Sequence, residues 1–566
     1  RLLLDHAAAP LRRALEGSRL GRALGSSGYA GWNRAGLFTA ELTGMDPADY
    51  PRFAPLVRET LARVAEQGVP ADDLAAAQHQ QELARREVRG DSYPYGLELC
   101  LRLVPAWAHG VDPLPFLDQA PAIARLTARA DTAWVQAEIR RRFLDTPALE
   151  LRAIPDATWH EQRDAAEDAA VAAAVGALDD AGRTRLAEQA AALARRQAQV
   201  DEPTVLPDLD LTDVPAQRRW AAGAGAAPMV FTAGTNGLLH HLLALPLPRL
   251  ADDEIDLVPL LAGMVGSVGA GALGFEAQAR AQHACCGALS AWLDHTLTPD
   301  GTGVTALLVA EVKGLAARSD AFLPLFAQTL QRLRTDEHDR LRELVRQGVQ
   351  RLTDRVTGAG NAFAGGAAAR GLNPAAALAF RLGGLGRLTW LKALDARLAD
   401  DGEAEALSAR LAGLRDRILA QPATHALIGG RAEADAALAT WRAHWRSGSG
   451  GSAFTAPAPT AAKATAFTTA TGVQYNALAF AAPPLTHPDA AALAVAARLI
   501  TDRELHPRIR ERGGAYGAGA AYRGGSGALL ISTYRDPRLD ATYADIRAAL
   551  RWLRDTPAEE IGRAHV

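Results

Sequence analysis

Arg508-Ile-Arg-Glu-Arg-Gly-Gly-Ala-Tyr-Gly517, with Ser532-x-Tyr-Arg-Asp-Pro537 a little further on, is the most informative stretch of the chain. The run before it, Asp489 to Arg512, reads as a helix. Gly513 and Gly514 end that helix as a C-cap and let the backbone approach a neighbour closely. Tyr516 stands between small residues, so its phenol projects from a turn that nothing adjacent crowds. Arg510 lies on the helix just before it. An arginine and a tyrosine that converge can both donate hydrogen bonds to a peptide carbonyl or a developing oxyanion. On these residues alone, a glycine-rich turn carrying a structural Arg and Tyr is the simpler reading.

Outward from this stretch, strands and helices alternate. Val473–Ala481 and Ala528–Tyr534 read as strands and Ala541–Arg554 as a helix, making 473–560 one α+β unit. Ser447-Gly-Ser-Gly-Gly-Ser452 and the Thr/Ala/Pro-rich run to Gly472 predict a flexible or extended linker over 447–472. In 204–446, strand-like Met229–Thr232, Leu239–Leu245 and Val304–Val312 alternate with helices such as Phe322–Leu333 and Asp339–Val356. Residues 155–203 hold two Ala/Glu/Arg-rich helical runs, Thr158–Leu178 and Arg183–Val200. They meet at Asp179-Asp-Ala-Gly182, which predicts a helical hairpin, and Pro203, Pro207 and Pro215 punctuate the loop beyond. Residues 1–154 read as mixed, with helices over Pro55–Gly68 and Ala71–Val88 and short alternation over Leu37–Gly44. The expected class is α+β: repeated domains of helices packed on mixed or antiparallel sheets, joined by a helical hairpin.

Composition excludes more than it assigns. With 566 residues there is room for three or four domains. The 61 basic and 64 acidic side chains leave a net charge of −3, so no global positive field draws nucleic acid or an anionic membrane. No apolar run reaches the roughly 18–20 residues of a membrane-spanning helix. Three cysteines, two of them adjacent at Cys285 and Cys286, cannot staple a chain of this size and point to a reducing compartment. The excess of Arg and Ala over only three lysines suggests a GC-rich genome, and with the cysteine usage gives the bacterial cytoplasm as the expected location. The chain starts at Arg1 without a Met. Its last six residues, Ile561–Val566, spell what a sequencing adapter encodes and are expected to be foreign to the protein.

Other chemistry finds little support. Gly263 to Gly274 is glycine-rich but lacks the Gly-Lys-Ser/Thr ending of a phosphate loop, so close packing is the default. Neither Ser26 nor Ser526 completes Gly-x-Ser-x-Gly. His79-Gln-Gln-Glu82 is reminiscent of His-x-x-Glu-His, in which two histidines bind zinc and the Glu activates water, but Leu83 takes the second ligand's place. His240 and His241 are adjacent on a strand and must face opposite ways, and His160 is expected in solvent. No metal site is complete.

The C-terminal stretch resembles the C-terminal half of presequence proteases, the peptidasome branch of the pitrilysin/insulinase-like zinc metallopeptidases. Leu2-Leu-Leu-Asp5 with Pro10-Leu-Arg-Arg-Ala-Leu15 looks like the family's second domain, and Thr235-Asn-Gly237 like the entry to its third. The hairpin falls between them in the expected order, and the resemblance covers residues 1 to 560. It implies two similar halves closing like a clamshell around unfolded peptides, with zinc held by a His-x-x-Glu-His in a first domain that this chain lacks. It places Arg510 and Tyr516 on substrate carbonyl and oxyanion, with Gly513, Gly514 and Ala515 lining the substrate.

On this basis 1–154 is expected to be the second domain, 155–203 the hairpin linker, 204–446 the third domain and 473–560 the fourth. The expected function is the substrate-binding part of a zinc metallo-endopeptidase for short unstructured peptides, inactive without its zinc domain. The alternative is a non-catalytic peptide-binding or structural subunit partnering a zinc-bearing homologue. An unrelated α+β scaffold is the remaining reading.

Overall fold

Pro10 opens α1 (Pro10–Gly17), where its missing N–H costs nothing, and Leu11 and Leu15 bury one face of that helix. The computed structural model describes residues 1–88, 94–199, 211–215, 223–224, 229–460 and 464–556. The chain forms two compact units, Arg1–Ala148 with Ala221–Thr556, and Leu149–Trp220 with Pro557–Val566. Pro203, Pro207, the boundary placed at 203 and the 561–566 tail lie outside the described residues.

In the first unit, β1 (Ala23–Leu24) pairs with β4 (Leu42–Thr43), and β2 (Gly28–Ala30) with β3 (Leu37–Thr39). The alternation over Leu37–Gly44 is thus split between two small antiparallel pairs. α2 (Tyr50–Gln67) starts before Pro55, carries it inside, and is closed by Gly68 at φ +77°. α3 (Ala71–Arg86) has Asp72 and Asp73 in its first turn and Arg85 and Arg86 in its last, each complementing the helix dipole. After α4 (Tyr95–Ala108) and α5 (Ala120–Arg129), α6 (Thr132–Ile139) supplies Val135 and Ile139 to a core with Leu3, Leu11, Leu15, Leu61 and Val64.

The second unit holds the predicted hairpin, α7 (Trp159–Gly176) and α8 (Asp180–Ala198). Asp179 caps α8 by accepting the Gly182 N–H at 2.6 Å. The apolar side chains Val171, Val175, Leu186 and Leu193 stay exposed.

The main core surrounds a six-stranded sheet in the order β5-β6-β10-β7-β9-β8. These are β5 (Gly223–Ala224), β6 (Met229–Thr232), β7 (Leu238–Pro246), β8 (Ala288–Leu297), β9 (Val304–Leu315) and β10 (Thr424–Gly429). β10 runs parallel to β6 and antiparallel to β7, so the sheet is mixed. The helices of this region are α9 (Asp252–Ile255), α10 (Val258–Met264), α11 (Phe275–Cys285), α12 (Ser319–Gln331), α13 (His338–Gly358), α14 (Gly360–Ala369), α15 (Pro374–Gly383), α16 (Leu385–Arg397), α17 (Asp401–Leu419) and α18 (Arg431–His444). Leu239, Leu243 and Leu245 of β7 meet Phe322 and Phe326 of α12 and Trp441 of α18 in one apolar cluster. In the glycine-rich run, a Cβ on Gly269 would sit 2.2 Å from the Leu273 carbonyl oxygen, so that glycine serves close packing.

His240 and His241 do face opposite ways. His240 is half-buried with Nδ1 3.3 Å from the Glu311 carboxylate. His241 is fully buried against Phe326, His425 and Trp441, and neither ring nitrogen has a hydrogen-bond partner. Burial holds its pKa down to about 3, and that of His425 down to about 4.

The Gly/Ser stretch of the linker expected to be flexible or extended runs as an extended strap that makes backbone and side-chain contacts. Ser447 Oγ accepts the Ala423 N–H at 2.9 Å, the Gly450 N–H reaches Ala420 O at 2.8 Å, and a Cβ on Gly448 would lie 2.1 Å from that same oxygen. The chain then enters a three-stranded antiparallel sheet in the order β11-β13-β12, made of β11 (Ala477–Ala481), β12 (Gly517–Arg523) and β13 (Ala528–Tyr534). α19 (Ala490–Ile500) and α20 (Asp540–Asp555) complete this region around Ile500, Leu505, Ile509, Ile531 and Ile546. The whole is α+β, as the sequence predicts.

Candidate functional site

The helix that carries Arg510 changes character before reaching it. From Thr501 to Glu511 it widens into a π-helix, closed by an i→i−5 bond from the Arg512 N–H to Pro507 O at 3.2 Å. Thr501 sits at the junction. Its hydroxyl donates to Ala497 O at 2.7 Å and accepts the Ala520 N–H of β12 at 2.8 Å, tying the helix to the sheet where the widening starts. Pro507, which has no N–H, relieves one bond within the widened stretch.

The Gly-Gly cap then reverses the chain. The Gly514 N–H reaches Arg510 O at 3.1 Å and the Ala515 N–H reaches Ile509 O at 3.0 Å. Gly514 has φ +79°, and a Cβ on Gly513 would lie 2.5 Å from Ile509 O and 1.9 Å from Arg538 Nη2. Both glycines are therefore required by the turn. Gly513 and Ala515 are buried, Ala515 within the apolar core, so of the three residues assigned to substrate lining only Gly514 is exposed.

Arg510 and Tyr516 flank this cap and both face outward. Tyr516 is 68% exposed. Its N–H donates to Arg535 O at 3.3 Å, and its ring meets that of Tyr534 edge-on, with centroids 5.8 Å apart. Arg510 is exposed, and its guanidinium has no hydrogen-bond or ion-pair partner among the described residues. Arg508, two residues earlier, differs, being paired with Glu504. Both side chains thus project from the cap as exposed donors, with no internal acceptor for either among the described residues.

Sequence reasoning quoted Tyr534-Arg-Asp-Pro537 but gave it no role, and it missed Tyr475. Tyr475 packs against Tyr534 at 5.7 Å and its hydroxyl donates to Thr357 O, while Tyr534 donates to Gly358 O at 3.0 Å. Only the tyrosine content hinted at this cluster, because its partners lie on α13, more than a hundred residues upstream.

Residues 154–394 match the family model for the domain associated with subfamily C of the M16 peptidases, and residues 434–565 match the Peptidase M16 inactive domain. The chain belongs to the M16 peptidases. The mitochondrial presequence protease of Xenopus tropicalis is 24% identical over 98% of this chain and 57% of its own length. Presequence protease 1 of Arabidopsis thaliana, chloroplastic and mitochondrial, is 24% identical over 95% of this chain and 51% of its own. This M16 chain therefore spans little more than half the length of these relatives. Among solved structures, a peptidase M16 inactive domain from Pseudomonas fluorescens is similar with a TM-score of 0.39 and 17% identity, covering 60% of this chain and 79% of that one. The relatives correct one expectation. They are organellar proteins, which overturns the bacterial cytoplasm. Cysteine usage reports redox state and Arg/Ala content reports base composition; neither distinguishes one reducing compartment from another.

Zinc, implied by the resemblance, does not fit the residues present. Among the described residues no group of three or more His, Cys, Asp or Glu could hold a metal ion. His79 is buried with Nδ1 3.3 Å from Arg318 Nη1, and Glu82 is taken up by Arg85 and Arg86. No helix among the described residues is long and apolar enough to cross a membrane.

Proposed function

We propose that this M16 chain is the peptide-holding part of a zinc endopeptidase acting on unfolded peptides, with Tyr516 and Arg510 as the side chains that grip the substrate backbone. The observation that carries the reading is the placement of two exposed donors, without side-chain hydrogen-bond partners among the described residues, on either side of a Gly-Gly cap. A phenol held edge-on by a second ring has one preferred direction, so its hydroxyl is preorganised to donate to a carbonyl oxygen that gains charge. The Arg510 guanidinium offers a planar fork of N–H donors to a second carbonyl. Neither group binds the metal, which belongs to a region outside this chain. The names of the relatives support presequence-like peptides as substrates and an organelle as the location.

The test is peptide binding to the chain as it stands. A fluorescein-labelled unstructured peptide is titrated by anisotropy against the parent, Tyr516→Phe and Arg510→Ala. Each substitution removes one hydrogen bond to the ligand and is expected to weaken binding by about 3–10-fold or more. Equal affinity in all three proteins would remove these residues from the substrate contact.

A further inference from the structure

The turn after β13 is where backbone strain, burial and unpaired charge coincide. Arg535 has φ +49°, one of three positive values at non-glycine residues among those described. A residue with a Cβ rests in that conformation only when its surroundings impose it. Here the imposition comes from Asp536, which is fully buried. Its carboxylate accepts from Thr542 Oγ1 at 2.8 Å, from Asn476 Nδ2 at 3.2 Å and from the Arg538 N–H at 2.9 Å. Its own N–H and C=O pair with Gln474 at 2.9 and 2.8 Å. A carboxylate so held cannot shift, and the residue before it is turned outward.

That residue presents a cation. Arg535 is exposed, its guanidinium carbon lies 5.5 Å from the centroid of the Tyr534 ring, and it has no carboxylate partner among the described residues. The neighbouring Arg538 differs, being paired with Asp545 at 3.0 Å. The Arg535 carbonyl receives the Tyr516 N–H, so this cation is rooted directly beside the phenol proposed to grip substrate. Tyr534 joins the two: its face carries the guanidinium, its ring meets Tyr516 edge-on, and its hydroxyl is fastened to Gly358 O.

We infer that Tyr534 and Arg535 extend the Tyr516 site into a carboxylate-binding subsite, in which Arg535 takes a carboxylate of the bound peptide and Tyr534 is the positioning residue for the Tyr516 phenol. This rests on the peptide-holding role proposed above. A guanidinium already lying on an aromatic face loses little side-chain freedom when it forms a forked pair with a carboxylate. The carboxylate is either the C-terminus of the peptide or an Asp or Glu side chain.

The experiment uses the whole chain and four versions of one short labelled unstructured peptide: C-terminal acid or amide, each with a single internal Glu or Gln. The parent protein is expected to bind at least one carboxylate version about tenfold more tightly than the amide carrying Gln, as suits a charge-assisted pair. A preference for acid over amide identifies the C-terminus, and a preference for Glu over Gln a side chain. Arg535→Gly is the informative variant, because glycine accepts φ +49° without strain. It is expected to erase the preference while leaving the melting temperature equal or higher, a split that a purely structural arginine would not give. For Tyr534→Phe, a double-mutant cycle with Tyr516→Phe is expected to show coupled losses, and strictly additive losses would overturn the positioning role. Equal binding of all four peptides by the parent would overturn the subsite and leave the peptide-holding role standing. No binding of any version would overturn both.

Discussion

Gly513 has no room for a methyl group, because Ile509 O and Arg538 Nη2 already occupy the space. Gly513→Ala is therefore expected to cost about 1–3 kcal/mol, read as a lower urea midpoint. Tyr516 is the opposite case, with an exposed ring and no internal partner for its hydroxyl among the described residues. Tyr516→Phe is expected to leave the melting temperature within error. In a longer protein that also carries the family's zinc region, it is expected to lower kcat about 10²-fold with a smaller change in substrate affinity. An unchanged kcat would remove Tyr516 from the chemistry. The contrast was partly legible in the sequence. A Gly-Gly pair after a helix announces a cap through the missing Cβ alone, which is local information. That Ala515 would be buried depends on the apolar core it joins, and that Arg535 would be strained depends on the bridge between Gln474 and Asp536, about sixty residues apart, which no local pattern encodes.

At the scale of elements, β7 and β10 carry the least comfortable group in the core. His241 is buried without a hydrogen bond on either nitrogen, beside His425 and the stacked Trp441–Trp445 pair. Its native pKa of about 3 lies below the ordinary value near 6.5, so protonation favours the unfolded chain. The penalty is absent above about pH 6.5 and grows as the pH falls toward 3, reaching about 2 kcal/mol at pH 5. Urea midpoints are expected to drop between pH 7 and pH 5. His241→Leu should flatten that slope by about this amount. His425 and His283, both held down to about 4, keep a residual slope in the variant. Equal slopes in parent and variant would show that His241 is not the titrating group. β7 was legible as a short apolar run, Leu238-Leu239 and Leu242 to Leu245, interrupted only by the two histidines. β10 was not singled out, because its pairing with β6 and β7 is made only after α13 to α17 have returned the chain to the sheet.

For the first unit as a whole, side-chain hydrogen bonds and ion pairs join its N-terminal helices to the rest of the unit. Gln80 Nε2 on α3 donates to His283 O at 2.6 Å and to Cys286 O at 2.7 Å, and Lys313 on β9 pairs with Glu87. Gln80→Leu leaves both carbonyls without this donor and is expected to cost about 1–3 kcal/mol. Faster limited proteolysis in α3 than in α12 would show that the loss is felt at this join. The helical hairpin could be read along the chain, since a capped Asp-Asp-Ala-Gly turn between two helical runs is a local signal. The contacts that weld Arg1–Ala148 to the sheet could not, because residues as ordinary as Gln80 and Asn236 make them.

A π-helix holds more residues per turn than an α-helix, so the stretch from Thr501 to Glu511 can be regarded as an α-helix that has absorbed an insertion. Removing one residue, His506 for instance, would let the segment relax to ordinary α-geometry without disturbing the buried spacing before it. The residues beyond the deletion would keep their facing, because the extra residue is what the widened turn takes up. Arg510 and the Gly-Gly cap both lie beyond it and would move together, since the Gly514 N–H is hydrogen-bonded to Arg510 O. For chains of this kind, the segment between Ile500 and Gly513 can differ in length by a residue while its arginine and cap still face the same way, and an alignment with a gap there would still match residues in equivalent places.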